Sequence, residues 1–374
     1  MKQEKLRIVL ISCLLITSLI LGGTAYAQDE ELPNPGITPD SPFYFFDNWG
    51  KSIGLALAFG PEAKAKKALQ YAEERLAEAQ AMAAKNKVKE LKRAANDYNG
   101  FMAMVNERAE EARRLGTSDN ISERVALATS KHLAVLDRVK DRVPEEAREA
   151  IVHAREVSIN GQINALRALA KIKPERAIDI SSAIIDKQVE RARFRATENV
   201  TTGNITPDVE EALDYADRIA EIEEEMTNIA QEKGIDITAI EKRLAQSTSN
   251  RLEVLAGIYE KVPEQAKPAI EKAIENSVRK YERAVEKLKE KNTLGEIPEE
   301  APVPQRIQEE VRERLKLRTS EEAQVSENAT AQARVQVEVQ ERVKERVSNL
   351  KPETPEPTVS ENKTNSGKGQ GQKP

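Results

Sequence analysis

The chain has 374 residues, with 58 Lys plus Arg against 63 Asp plus Glu, a net charge of −5 and a single cysteine, Cys13. That mild acidity argues against nucleic acid as a partner, because such proteins concentrate basic residues on one face. With one cysteine there is no intrachain disulfide, so stability must come from an apolar core.

Lys2, Lys5 and Arg7 precede an uncharged apolar run from Ile8 to Leu21, and Ala25-Tyr26-Ala27 precedes Gln28. This is the order of a secretory signal over residues 1–27 with an A-x-A exit, so export to the extracellular space or the cell envelope is expected. The alternative is an uncleaved N-terminal membrane anchor, since Ile8 to Ala27 carries no charge and nears the roughly 20 residues of a spanning helix. A third reading takes Leu10-Ile11-Ser12-Cys13 as a lipidation box, but the apolar run continues beyond Cys13. Cleavage after Ala27 would leave no thiol, and 55 basic against 62 acidic residues, because Lys2, Lys5, Arg7 and Glu4 leave with the signal.

Residues 28–60 differ from everything that follows. Pro33, Pro35, Gly36, Pro39 and Pro42 interrupt the chain, and then Phe43, Tyr44, Phe45, Phe46 and Trp49 arrive within seven residues. One reading makes the aromatics a contact for a partner protein or a membrane surface. The reading favoured by composition is a plug across one end of the first helical unit, because alanine-rich bundles need bulky side chains to close their ends.

Beyond Pro61 the apolar residues recur with helical period, as in Leu69, Ala72, Leu76 and Ala79, and later Leu91, Ala95, Tyr98, Met102 and Val105. Helices are predicted near 61–84, 87–115, 121–142, 144–171, 174–199, 207–233, 238–261 and 263–291. Gly116 to Asn120 reads as a loop, Asn120 with Glu123 as a cap, and Thr238 with Glu241 as a capping box. Pro144, Pro174, Pro207 and Pro263 suit first helical positions, where a missing N–H costs nothing. Pro268 conflicts with a helix from 263 and predicts a kink or a start delayed towards Lys267.

Within this region Thr129–Ser158 aligns without a gap to Thr248–Ser277, with 14 identities, among them Leu133/Leu252, Leu136/Leu255, Pro144/Pro263, Ile151/Ile270 and Ala154/Ala273. Gly60–Ala79 aligns more loosely with Lys173–Ala192, and Asp97-Tyr98 with Asp214-Tyr215. An internal duplication follows, with repeat units at 61–172 and 173–291. The expected fold is all-α, two tandem antiparallel four-helix units, each an up-down bundle or part of an elongated helical array.

From Asn292 the composition shifts. Pro298, Pro302 and Pro304 suggest a linker, and Ile307, Val311 and Leu315, then Val335, Val339, Val343 and Val347, mark narrow stripes of marginal helices over 292–350. Residues 351–374 are polar enough to be a disordered tail.

The segment around Leu32-Pro33, Pro35-Gly36-Ile37, Pro39-Asp40-Ser41-Pro42, the aromatics through Phe46, Phe59 and Ala72-Glu73-Glu74-Arg75-Leu76-Ala77-Glu78 resembles the domain-of-unknown-function 5667 family of uncharacterised exported archaeal and bacterial proteins. The resemblance covers about the first third of the chain after residue 27 and implies an exported helical protein. It brings no activity and no site residues. Where Leu often follows the aromatic cluster in that family, this chain has Phe46.

Little in the chain suggests catalysis, so a non-enzymatic protein without cofactor or metal is expected. The two histidines, His132 and His153, could form a metal or proton site with Glu146, Glu149 or Glu156. Their counterparts in the duplication are Arg251 and Lys272, which favours solvated positions without a shared role. The acidic run Glu221 to Glu225 reads as a wet helix face, since no loop has the oxygen-ligand spacing of an EF-hand. Gly367 to Gly371 does not follow a strand, so phosphate cradling is unsupported. Five N-x-S/T sequons, at Asn120, Asn199, Asn204, Asn328 and Asn362, are candidate N-glycosylation sites.

Overall fold

The computed structural model describes residues 32–116, 120–198 and 206–318, together with residue 340. The described residues are helical or loop, without a strand. A short helix α1 (Tyr44–Ala56) precedes α2 (Pro61–Ala84), α3 (Val88–Arg114), α4 (Ile121–Lys140), α5 (Glu145–Ala170), α6 (Pro174–Glu198), α7 (Thr206–Glu232), α8 (Thr238–Tyr259) and α9 (Lys267–Glu290). The described residues up to Val311 form one compact unit, and those from Arg312 belong to a second.

The apolar stripes read from the sequence are the buried faces. Leu69, Ala72, Leu76 and Ala79 of α2, and Leu91, Ala95, Tyr98, Met102 and Val105 of α3, are all buried. Alanines at Ala65, Ala68 and Ala72 keep the α2 surface flat, so the α3 axis approaches closely and interhelical dispersion contacts accumulate.

Short connections make four antiparallel hairpins, α2/α3, α4/α5, α6/α7 and α8/α9. They stack in chain order in two layers. Helix α2 packs on α4, α4 on α6 and α6 on α8, while α3 packs on α5, α5 on α7 and α7 on α9. Of the two arrangements that the sequence allows, this is the elongated array. Helices α5 and α6, on either side of residue 172, pack against each other as well.

Helix ends show where local rules were followed and where tertiary context took over. Gly116 and Gly234, at φ +71° in both cases, end α3 and α7 in the left-handed conformation that glycine adopts without cost. Pro174 begins α6, whereas Pro144 stands just before α5 and Pro207 is the second residue of α7. Pro263 lies outside α9. Pro268 forces that helix to start at Lys267, where the proline's lack of an N–H leaves no hydrogen bond unmade. The predicted capping residues are also corrected. Asn120 makes no side-chain cap bond, and Thr238 lies inside α8, its N–H and hydroxyl both donating to Asp236 Oδ1 at 3.0 and 2.7 Å.

Residues 292–311, read as linker and marginal helix, pack on the last hairpin. Tyr281 donates to the Pro298 carbonyl at 2.6 Å, Tyr259 donates to Glu310 at 3.0 Å, and Val303, Ile307 and Val311 are buried. The Val335 to Val347 stripe and the 351–374 tail lie outside the described residues, as do residues 1–31.

Candidate functional site

The prolines that break residues 32–42 lead into α1. The Ser41 hydroxyl accepts the Phe43 N–H at 3.2 Å, and Asp40 accepts from Lys87 at 2.8 Å and Lys85 at 3.1 Å across the α2–α3 turn. The Lys87 ammonium, with the Thr38 hydroxyl and Lys85, holds the Asp40 carboxyl well below the usual carboxylate range.

Helix α1 is amphipathic with its polarity reversed. Tyr44, Asp47, Asn48 and Lys51 face α2, where the fully buried Arg75 organises them. Arg75 Nη1 donates to Tyr44 Oη at 2.5 Å and Glu78 Oε2 at 2.6 Å, and Nη2 donates to Asp47 Oδ2 at 2.7 Å and Asn48 Oδ1 at 2.6 Å. Lys51 completes the network with Asp47 at 2.6 Å and Glu74 at 2.9 Å. The Arg75 guanidinium also lies 4.8 Å from the Tyr44 ring centroid, within cation–π range. Burial pushes the Glu78 carboxyl and the Tyr44 phenol up from their ordinary values. Gly54 permits the close approach, since a Cβ there would lie 2.0 Å from the Tyr71 hydroxyl.

The outward face holds Phe45, Phe46, Trp49, Ile53 and Leu57, with Phe43 and Phe59 beside it. Trp49 is 65 % exposed and Phe59 87 %. Eight of the 14 exposed large hydrophobic residues among the described residues lie between Ile37 and Phe59, so this is a contiguous apolar patch rather than scatter. The plug reading is therefore corrected. Only Tyr44 enters the array, because Asp47, Asn48 and Lys51 on the same side of α1 are held by Arg75 and Glu74, which turns the other rings outwards.

Arg75 and Glu78 escaped the reading of the sequence as buried groups. Their positions gave a signal, since Arg75 falls on the apolar stripe between Ala72 and Ala79 and must be buried once α2 packs on that face.

The two histidines are far from equivalent. His153 is exposed, whereas His132 is completely buried and its expected solvation is contradicted. Tyr98 Oη lies 3.0 Å from His132 Nδ1 and 2.5 Å from Ser158 Oγ, and Ser158 donates to the Ala154 carbonyl at 2.9 Å. His132 Nε2 has no hydrogen-bond partner and stands 4.0 Å from Glu73 Oε1. Burial drives the imidazole pKa down to about 3, so the ring is neutral. The proposed grouping with His153, Glu146, Glu149 and Glu156 does not form, and among the described residues no three His, Cys, Asp or Glu side chains gather to hold a metal ion.

Two further polar clusters lie between hairpins. Asp137 accepts from Arg155 at 2.5 Å and also from Arg191, while Glu211 pairs with Arg155 and Lys140. Glu223, in the run expected to be a wet face, is buried and accepts from Ser181 and Ser182, both at 3.0 Å. Beside it a cleft of about 260 Å³ lined by α6, α7, α8 and α9 mixes Arg251, Lys280 and Arg283 with Asp217, Glu221 and Glu224. This mixture of signs selects no single ligand charge.

Of the sequons, Asn120 is exposed just before α4, with Ser122 of the same tripeptide buried. Asn199, Asn204, Asn328 and Asn362 lie outside the described residues. No described helix is long and apolar enough to cross a membrane.

No curated protein and no solved structure matches the chain. Residues 36–146, which hold α1 and its Arg75 anchor, match the model of a family described as Domain of unknown function (DUF5667), the family that the N-terminal segment resembles.

Proposed function

We propose that the protein is a non-enzymatic, exported structural or interaction protein of the cell envelope, in which a stacked helical array carries an exposed aromatic helix. The observation behind this reading is the reversed amphipathicity of α1. An ion network that includes the completely buried Arg75 holds five large apolar side chains outwards, an arrangement that serves contact rather than packing. The signal-like residues 1–27 supply the route to the envelope. The absence of catalysis is supported by the placement of the histidines, His132 enclosed among Tyr98 and Ser158, His153 in solvent.

Cell fractionation with mass spectrometry of the native protein tests this. A mature N-terminus at Gln28, or a full-length chain in the membrane fraction, is expected. Recovery of the intact chain from the cytoplasm overturns the proposal. The same spectra read glycan occupancy at the five sequons.

A second reading, an envelope binding or chaperone-like module, is favoured by the same outward aromatic face acting together with the apolar stripes beyond Pro302. Pull-down from envelope extract, with and without residues 302–350, separates the two. Equal recovery of partners removes the C-terminal part of this reading.

A further inference from the structure

We propose that α1 is a docking helix for a lipid bilayer surface, lying in the headgroup layer with Phe45, Phe46, Trp49, Ile53 and Leu57 turned towards the acyl chains. The inference deepens the envelope reading and rests on it for the presence of a membrane.

The orientation of the charges carries the argument. From Phe43 to Gly60 the only ionisable side chains besides Tyr44 are Asp47 and Lys51, and both turn inwards to Arg75 and Glu74. The outward face therefore presents no charge over the 13 residues of the helix. An interfacial helix on a membrane needs a face of this kind, with aromatic rings at headgroup depth and no ion to desolvate. A non-obligate protein interface, by contrast, is on average as polar as the remaining surface.

Charge complementarity points the same way. Immediately after Phe59, α2 opens with Lys64, Lys66 and Lys67 against a single acid, Glu62, which pairs with Lys66 at 2.6 Å, so the helix start carries a surplus of two positive charges. A surplus of positive charge that follows the apolar face directly in the chain suits an anionic headgroup layer. The uncharged run from Ile8 to Ala27 ends sixteen residues before Phe43. If that run is retained in the bilayer, the connecting chain reaches at most about 55 Å, so α1 stays near the same surface.

Trp49 is the only tryptophan in the chain, which makes the test local to α1. The full chain, in the form that the cell processes, is titrated with phosphatidylcholine vesicles with and without phosphatidylglycerol while Trp49 emission is recorded. Emission should shift to the blue, acyl-chain-brominated lipid should quench it, and the anionic vesicles should bind more tightly. Phe45→Ser with Phe46→Ser should weaken binding roughly tenfold or more, with an unchanged circular-dichroism melt. Leu127→Ser, at an exposed apolar position on α4, should leave binding as it was. Lys64→Gln with Lys66→Gln should reduce only the preference for anionic vesicles.

Trp49 emission that ignores both kinds of vesicle overturns the proposal, as does a Phe45/Phe46 double variant that binds as well as the parent. So does emission that is already blue-shifted without lipid and reverts on dilution, because the face is then covered by a second copy. None of these results bears on export, which the mass spectrum decides separately.

Discussion

The two aligned stretches, Thr129–Ser158 in α4 and α5 and Thr248–Ser277 in α8 and α9, bury the same positions and fill them with different chemistry. Leu133 and Leu252, Leu136 and Leu255, Ile151 and Ile270, and Ala154 and Ala273 are buried in both. Asp137 and Arg155, an ion pair in the first stretch, are matched by the buried Ala256 and Ile274 in the second. His132 is matched by Arg251, equally enclosed but held by Asp186 at 2.7 Å and Ser247 at 2.8 Å. The neighbour explains the difference. The first stretch has α6 and α7 stacked on it, which present Arg191 and Glu211, whereas the second is the last hairpin and receives residues 292–311. Apolar positions follow the internal packing of a hairpin, and polar ones follow whatever is stacked against it.

The largest test of this comparison is Asp137→Ala, which leaves the buried Arg155 with Glu211 alone and the half-buried Arg191 without the carboxylate they share, and should cost about 3 kcal/mol or more in urea unfolding. Installing the second stretch's solution, Asp137→Ala with Arg155→Ile, should recover at least half of that loss. A double variant no more stable than the single one would break the comparison. Next, Leu133→Ala and Leu252→Ala should each cost about 3 kcal/mol, because both side chains are enclosed. A loss at one position and none at the other would show that the shared packing is nominal.

A smaller effect is expected from acid. His132 is neutral when folded, with a pKa near 3, against about 6.5 when unfolded. The unfolded chain therefore binds the extra proton, and the stability that His132 contributes is complete above pH 6.5 and is lost as pH falls towards 3. At pH 5 the loss is about 2 kcal/mol. Glu73, the nearest ionisable group on α2, is itself pushed up by burial, which limits its help as a counter-ion. His132→Gln should flatten the pH dependence of urea unfolding between pH 7 and 5, whereas Arg251→Gln should leave its slope unchanged. Equal slopes for His132→Gln and the parent protein would place the acid sensitivity elsewhere. The smallest difference concerns helix starts. Asp236→Ala should lower the melting temperature more than Asn120→Ala, since Asp236 bonds the α8 start and Asn120 makes no cap bond.

Helix positions were legible in the sequence because period, proline and glycine act locally. All eight long helices lie within about four residues of the predicted bounds, and Lys267 begins α9 because Pro268 could not sit deeper. Burial of polar residues was not legible. The replacement of His132 by Arg251 looked like tolerance at a wet surface, but it is a change of partner at an enclosed position. Glu223 was hidden for the same reason, since its hydroxyl and guanidinium partners come from α6 and α8, and of the partners of Arg75 only Glu78 is near in sequence, while Tyr44 and Asp47 come from α1. The outward turn of the aromatics was missed because composition says that rings are present and nothing about which side of α1 the ions occupy.

Stacking the hairpins two layers deep also makes the array a spacer. Helix α1 is fixed to the first hairpin and residues 292–311 to the fourth. With helices packing about 10 Å apart, three intervening steps separate those attachments by roughly 30 Å of stack. Inserting or deleting one hairpin would change that distance by one step, so the number of hairpins sets reach.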